Sequence, residues 1–416
     1  MSGFDFSRLR RFPDVEAPNL QAWDATDELL VAHALAAGVD GSEIAVIGDE
    51  YGAITLALAD AGLRGIRVHQ DLVTGRRALA NNADALWGNR DDPSRGRRVE
   101  GEHAGSDTSA PVIPHFTPHE LDRTLLDGAR LVLLQLPKAL AELEEIADAV
   151  ARWAAPDVVL VAGGRVKHMT LAQNDVLGGC FASVQAQRAE RKSRLVIAQD
   201  PLPVPADPPF PVRQEHDGLT ICAHGGAFAG ARLDIGTRVL LEALPQLRRS
   251  APELGPEAQI GTRATGISGV MTPTVIDLGC GTGALAASFA LQHPDARVIA
   301  TDRSAAAVRS ARATMAANGL ADRVEVTLDD AGSELPDAVA DIVLLNPPFH
   351  LGASVHEGAG QRLIAASARL LRPGGEVWTV FNSHLDHRRA LSRDVGPTEQ
   401  VLRTPKFTVT RSIRRE

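Results

Sequence analysis

The sequence predicts an α/β protein built from two tandem, doubly wound, mostly parallel sheets, and three observations carry that prediction. Short β-branched runs alternate with segments of helical length along most of the chain, the pattern of strands joined by crossover helices. At 416 residues the chain is too long for one domain of about 150 residues, and six prolines between Asp200 and Pro211 make a stiff, extended break. The two sides of that break also repeat each other. Setting Tyr51-Gly52-Ala53 against Thr282-Gly283-Ala284 brings Gly48 onto Gly279, Asp71 close to Asp302, and Arg130 to Lys138 level with Asp341 to Phe349. Self-similarity on this scale means two copies of one fold. The expected limits are 1–199 for the first domain, 200–217 for the linker and 218–416 for the second domain.

In the first half, Asp24 or Thr26 caps a helix over Leu29 to Ala37. Ile44 to Ile47 is a strand broken by Gly48, Ala53 to Ala61 a helix, Arg67 to Asp71 a strand ending in an acid, and Gly75 to Trp87 a helix. Residues 91–114 are rich in Gly, Ser, Pro, Arg and Asp without an apolar period, which marks a surface insertion. Leu131 to Leu134 resumes as a strand, Ala139 to Trp153 is an amphipathic helix and Val158 to Ala162 a strand. In the second half, Leu219 to Cys222 is a strand, Asp234-Ile235-Gly236 leads into a helix over Thr237 to Leu247, and residues 250–272 form another Gly/Pro-rich insertion. The run Thr274 to Gly283 comes next, followed by strands at Val298 to Thr301, Val324 to Leu328, Ile342 to Leu345, Gly375 to Phe381 and Phe407 to Ile413. The helices between them cover Ala284 to His293, Ala305 to Ala317 and Leu363 to Leu371.

Composition excludes several classes. No stretch approaches the ~18 unbroken apolar residues of a membrane helix, and the charged start Met1 to Arg11 lacks the apolar core of a signal peptide. A cytoplasmic monomer with no membrane partner is expected. Cys180, Cys222 and Cys280 are odd in number and stand outside any Cys/His cluster, so neither disulfides nor a metal site is indicated and the thiols should be buried. A net charge of −9 opposes indiscriminate nucleic-acid binding. Three runs remain candidate basic faces: Arg8, Arg10 and Arg11; Arg188, Arg191, Lys192 and Arg194; and Arg411, Arg414 and Arg415.

Only the second copy carries groups suited to chemistry. The run Ile342 to Leu345 delivers Asn346 to the carboxyl end of a strand, where open α/β sheets keep their ligands, and Pro347 and Pro348 fix the turn after it. The Asn346 side-chain oxygen and the Pro347 carbonyl can converge on one NH2 group while Phe349 supplies a flat face, a set that suits an exocyclic amine on a planar base. Gly279, Gly281 and Gly283 let the backbone approach a ligand at a helix start. Gly279-x-Gly281-x-x-Ala284 also satisfies the looser dinucleotide fingerprint, with Asp302 at a credible distance for a ribose. S-adenosylmethionine is favoured by acids at successive strand ends, Asp277 for the amino-acid ammonium, Asp302 for the ribose and Asp330 for the adenine amine. No basic residue stands ready for a pyrophosphate. In the first copy Val46, Glu50, Gln135 and Lys138 replace Asp277, Gly281, Asn346 and Phe349, which leaves a fold without a site.

These residues, together with Leu20 to Ala25, Asp27-Glu28, Leu136 to Leu140, Phe228, Leu233 to Gly236 and Asn382 to Asp386, resemble the two-domain ribosomal RNA guanine-N2 methyltransferases of the RsmC/RlmG type. The likeness spans nearly the whole chain and is closer to the large-subunit branch. It implies two class I (Rossmann-like) methyltransferase domains that use S-adenosylmethionine. The first would be degenerate and hold RNA; the second would methylate a guanine N2 amine in ribosomal RNA or a ribosomal subunit, without a metal or a strong base. His350 would be a wall or an RNA contact. The competing readings are methylation of another amine or amide by the same site, a non-catalytic RNA-binding protein, and an NAD-dependent oxidoreductase.

Overall fold

The computed structural model describes residues 3–88, 113–245, 272–347, 357–385 and 387–416. Both expected insertions lie almost wholly outside these residues, as do Pro348, Phe349, His350 and Asp386. The chain divides into two compact units, Met1–Phe210 and Pro211–Glu416. The first contains α1 (Ala25–Ala37), β1 (Ile44–Ile47), α2 (Ala53–Asp60), β2 (Ile66–His69), α3 (Val73–Trp87), β3 (Phe116–Pro118), α4 (Arg123–Leu126), β4 (Leu131–Gln135), α5 (Leu140–Trp153), β5 (Val159–Arg165), α6 (Leu171–Gly178), β6 (Phe181–Ala186) and β7 (Ser193–Pro201). In the second, the hairpin β8 (Val212–His216) and β9 (Leu219–Ala223) precedes α7 (Ile235–Ala243), β10 (Thr274–Leu278), α8 (Ala284–Gln292), β11 (Arg297–Asp302), α9 (Ala305–Ala317), β12 (Val324–Leu328) and β13 (Ala340–Leu345). It ends with α10 (Glu357–Leu370), β14 (Leu371–Asn382), α11 (His387–Asp394), β15 (Thr398–Arg403) and β16 (Phe407–Ile413).

The repeat seen in the sequence is a repeat of topology. The two main sheets run β3-β2-β1-β4-β5-β7-β6 and β12-β11-β10-β13-β14-β16-β15, the same order with each strand replaced by its counterpart. In the second sheet β12, β11, β10, β13 and β14 are parallel, and β16 and β15 close the edge antiparallel. The expected linker over 200–217 is only partly loop, since β7 runs on to Pro201 and β8 starts at Val212. Proline is tolerated at Pro201 because a strand end needs no further ladder N–H.

Each sheet is buried on both faces, which is why its central strands read as unbroken apolar runs. Successive side chains of a strand point to opposite faces. In the second unit Val275, Val298, Leu344 and Trp378 pack with Leu240, Ala286 and Ala311, while Ile276, Leu278, Ile299, Val343 and Val377 pack with Ile364 and Leu391. Asp277 shares the face of Val275 and so meets α8 rather than α10.

Cys180, Cys222 and Cys280 are buried free thiols as expected. No helix among the described residues is long and apolar enough to cross a membrane, and those residues contain no cluster of three or more His, Cys, Asp or Glu side chains that could hold a metal ion. The basic tail is structural rather than an open face. Arg411 is clamped between Glu376 and Glu399, Arg414 donates to the Leu371 carbonyl, and Arg415 to the Ser392 carbonyl at 2.8 Å.

Candidate active site

Strand register lines the functional residues along one edge. Leu278 pairs with Thr301 on one side and Leu345 on the other, so Gly279, Asp302 and Asn346 emerge side by side. Leu328 pairs with Asp302, which puts Asp329 and Asp330 next along the same edge.

Three glycines follow β10, all left-handed, with φ of 76° at Gly279, 55° at Gly281 and 78° at Gly283. Their tasks differ. Among the described residues, a Cβ on Gly281 would meet nothing within 4 Å, and one on Gly279 only Leu363 at 4.0 Å, so neither is crowded by them. One on Gly283 would stand 2.8 Å from the Met315 methyl and 3.0 Å from Ala311. Gly283 is therefore demanded by the close packing of α8 on α9 rather than by a ligand.

The acids divide in the same way. Asp277 Oδ2 accepts the Ala286 N–H in the first turn of α8 at 2.9 Å, whereas its buried Oδ1 has no hydrogen-bond partner among the described residues. Burial, helped by the nearby Asp302 charge, pushes the Asp277 carboxyl up to about 7. A buried carboxylate oxygen without a donor, at the root of an open glycine turn, fits an ammonium group. Asp302 Oδ2 accepts the Gly281 N–H and Oδ1 the Ser304 N–H, each at 2.9 Å, so this acid holds the glycine turn in shape. A carboxylate offers about four lone-pair sites, which is enough to take a ribose diol as well. Asp330 pairs through Oδ2 with Arg362 of α10, a partner with no local sequence signature. Its neighbour Asp329 is buried and ties the following turn, accepting from Ser333 Oγ at 2.6 Å and the Glu334 N–H at 2.8 Å.

Asn346 is half-buried at the end of β13, and Pro347 beside it is buried. The Asn346 Nδ2 donates to Asp234 Oδ2 at 3.1 Å and to Thr237 Oγ1 at 2.9 Å. A carboxylate only accepts, so the amide nitrogen must face Asp234. Its Oδ1 is thereby turned away, and no described residue donates to it. Sequence reasoning did not find these two partners. A usable signal was present in the matching helix starts, Asp24-x-x-Asp27 and Asp234-x-x-Thr237. In the first unit Gln135, the counterpart of Asn346, donates to Asp27 Oδ1 at 2.5 Å, which is the same tie.

The first unit keeps the turn but fills it. Gly48 and Gly52 have φ of 79° and 89°, and the Gly48 N–H donates to His69 O at 3.0 Å as Gly279 does to Thr301 O at 2.9 Å. Where β10 carries Asp277, β1 has Val46, and Asp49 within the turn takes over the helix N–H groups, accepting from Ile54 at 3.2 Å and Thr55 at 2.7 Å. A Cβ on Gly48 would lie 3.3 Å from the Gln135 carbonyl, so the space open at Gly279 is closed here. The amino-terminal segment also reaches this turn. Asn82 bridges Arg10 and the Tyr51 carbonyl, Tyr51 Oη donates to Asp14 at 2.8 Å, and the Arg11 guanidinium lies 4.5 Å from the Tyr51 ring centre.

The chain resembles known proteins. Residues 263–411 match the family model for the methyltransferase small domain, and residues 2–93 and 114–201 match that for the RLMG N-terminal domain. A Streptomyces avermitilis protein named ribosomal RNA large subunit methyltransferase G is 32% identical over 98% of this chain and 97% of its own length. A Shewanella amazonensis protein of the same name is 31% identical over 98% of this chain and 96% of its own. Among solved structures, the T. thermophilus 16S rRNA N2 methyltransferase RsmC, in complex with AdoMet and guanosine, covers 96% of this chain and 97% of its own with a TM-score of 0.68. At 20% identity that match is a likeness of fold.

Proposed function

The chain belongs to the ribosomal RNA large subunit methyltransferase G family, and from that premise we propose that its second unit methylates the exocyclic N2 amine of a guanine in ribosomal RNA. The observation that carries this reading is the orientation of Asn346, whose amide nitrogen is held by Asp234 and Thr237 so that its oxygen is left to accept from a substrate NH2. The N2 amine of guanine is a poor nucleophile because its lone pair is delocalised into the ring. Hydrogen bonds from its two N–H groups to Asn346 Oδ1 and the Pro347 carbonyl favour a pyramidal nitrogen, and holding it in line for attack supplies most of the rate enhancement. S-adenosylmethionine, when bound, supplies an electrophilic methyl group on a sulfonium. Gly279 and Gly281 would leave room for it, Asp277 would take its ammonium, Asp302 its ribose hydroxyls and Asp330 Oδ1 its adenine amine. The base must leave its stack to enter, and Phe349 is the proposed stacking face for it.

The first unit is proposed to hold RNA and bind no cofactor. Exposed Arg188 and Lys192 in the β6–β7 turn, with exposed Lys167 close by, support the first part. Arg191 in the same turn is paired with Glu28. The closed turn at Gly48 supports the second part, so calorimetry on the full chain should give one S-adenosylmethionine per molecule; two would contradict it. A cytoplasmic location is proposed with that substrate.

The Asp277 shift gives a pH signature. Its folded pKa of about 7 lies above the ordinary 3.8, so the carboxyl is protonated below pH 7 and cannot serve an ammonium. Cofactor affinity should fall about tenfold from pH 8 to pH 6, and Asp277→Asn should flatten that dependence. The sign for stability is opposite: a raised carboxyl pKa weakens the fold as pH climbs from about 4 to about 7.

The function is tested by labelled methyl transfer to deproteinised large- and small-subunit RNA followed by nucleoside analysis. Label in N2-methylguanosine from the large-subunit RNA is expected. Label confined to another nucleoside, or to small-subunit RNA, overturns the assignment.

A further inference from the structure

We propose that the first turn of α7 is a positioning device for Asn346: Asp234 and Thr237 decide which atom of its amide faces the substrate, and Gly236 keeps that atom reachable. This inference rests on the guanine-amine reading above. The two ends of an amide are nearly isosteric and differ by a flip of the side chain. Only the oxygen end can accept from an amine, because the nitrogen end would set N–H against N–H.

The geometry removes the choice. Asp234 Oδ2 caps α7 by accepting the Thr237 N–H at 3.2 Å, and the same oxygen accepts from Asn346 Nδ2 at 3.1 Å. Thr237 Oγ1 takes the second Nδ2 hydrogen at 2.9 Å. Both amide hydrogens are thus committed, and a flipped Asn346 would aim its oxygen lone pairs at a carboxylate. Gly236 sits between the two partners. A Cβ there would lie 3.0 Å from Asp234 Oδ2 and 3.1 Å from Asn346 Oδ1, tighter than ordinary van der Waals contact, and it would crowd the acceptor oxygen itself. Backbone conformation does not explain this glycine, since Gly236 is absent from the residues of positive φ and lies inside a helix, where alanine is intrinsically favoured.

The first unit provides the contrast. Its α1 starts with the same cap, Asp24, and the strand-end amide of Gln135 is still tied to Asp27. The residue equivalent to Gly236 is Thr26, whose Oγ1 donates to Ser193 Oγ at 2.9 Å. The helix-to-strand tie has therefore survived in a unit that lacks the other site residues, whereas the gap beside the amide has not.

The test uses the full chain with Gly236→Ala, Thr237→Val, Thr237→Ser and Asn346→Ala. Single-turnover methylation of large-subunit RNA, S-adenosylmethionine affinity and melting temperature are measured on each. Gly236→Ala should slow methyl transfer at least about tenfold, as expected for a misplaced contact at a reacting group, with unchanged cofactor affinity and a melting temperature equal or higher. Thr237→Val should also be about tenfold slower, and Thr237→Ser, which restores the hydroxyl, should recover the rate. Normal rates in Gly236→Ala and Thr237→Val beside a slow Asn346→Ala would overturn the positioning role and leave the amine reading standing. A normal rate in Asn346→Ala would bring down the amine reading itself. Parallel losses of rate, cofactor affinity and melting temperature in Gly236→Ala and Thr237→Val would make the turn purely structural and equally overturn the proposal.

Discussion

Asn346→Ala should slow single-turnover methyl transfer by ~10²–10³, the range for deleting one preorganised polar partner of a reacting group. Cofactor affinity should change by less than about threefold, because an interaction made chiefly as the reaction proceeds contributes to turnover rather than to binding. The structure sharpens this expectation. Alanine removes the acceptor and also leaves Asp234 and Thr237 without the amide they bind, but Asp234 still caps α7 through the Thr237 N–H. The helix should therefore hold, and melting temperature should fall by only a few degrees. A large fall in melting temperature together with loss of cofactor binding would instead identify Asn346 as a structural turn residue.

Asp302→Ala should weaken S-adenosylmethionine binding by ~1.5–3 kcal/mol, the value of a hydrogen bond to a charged group, or roughly 10- to 150-fold in Kd. Two effects combine in that loss. The ribose acceptor disappears, and the N–H groups of Gly281 and Ser304, both bound by this carboxylate, are released, so the glycine turn loses its shape. Asp302→Asn separates the two effects. One amide oxygen can still hold the Gly281 N–H while the Ser304 N–H loses its acceptor, so the asparagine variant should lose less melting temperature than the alanine variant while losing much of the affinity. Wild-type affinity in both variants would remove Asp302 from the cofactor site.

The second unit was readable where function and backbone demand special residues. Glycines at left-handed positions, prolines after β13 and acids at strand ends are local signals, and α9, β12 and β16 begin and end at the expected residues. Elements at the margins were not legible. Among the residues of β8 only His216 is even partly sheltered, β15 has no fully buried residue, and α11 buries just Ala390 and Leu391, so none shows a clear apolar period. The start of α7 was displaced for a different reason. Ile235, which follows the cap Asp234, is 57% exposed and carries no core signal, so the helix was expected to begin only at Thr237. The partners of Asn346 lie 112 and 109 residues earlier in the chain, and the Arg362 partner of Asp330 is 32 residues later. Only the fold brings such groups together. Duplication offered the one indirect route, since Gln135 and Asp27 preserve the tie in a unit where other site residues are gone.

One measurement bears most directly on guanine methylation by the second unit: mass-spectrometric mapping of large-subunit RNA from a gene-deleted strain carrying either the wild-type gene or the Asn346→Ala variant. A single N2-methylguanosine should be missing in the deletion strain, restored by the wild-type gene and not restored by the variant, with both proteins present at equal levels. An unchanged set of N2-methylguanosines in the deletion strain, or full restoration by Asn346→Ala, would contradict that assignment.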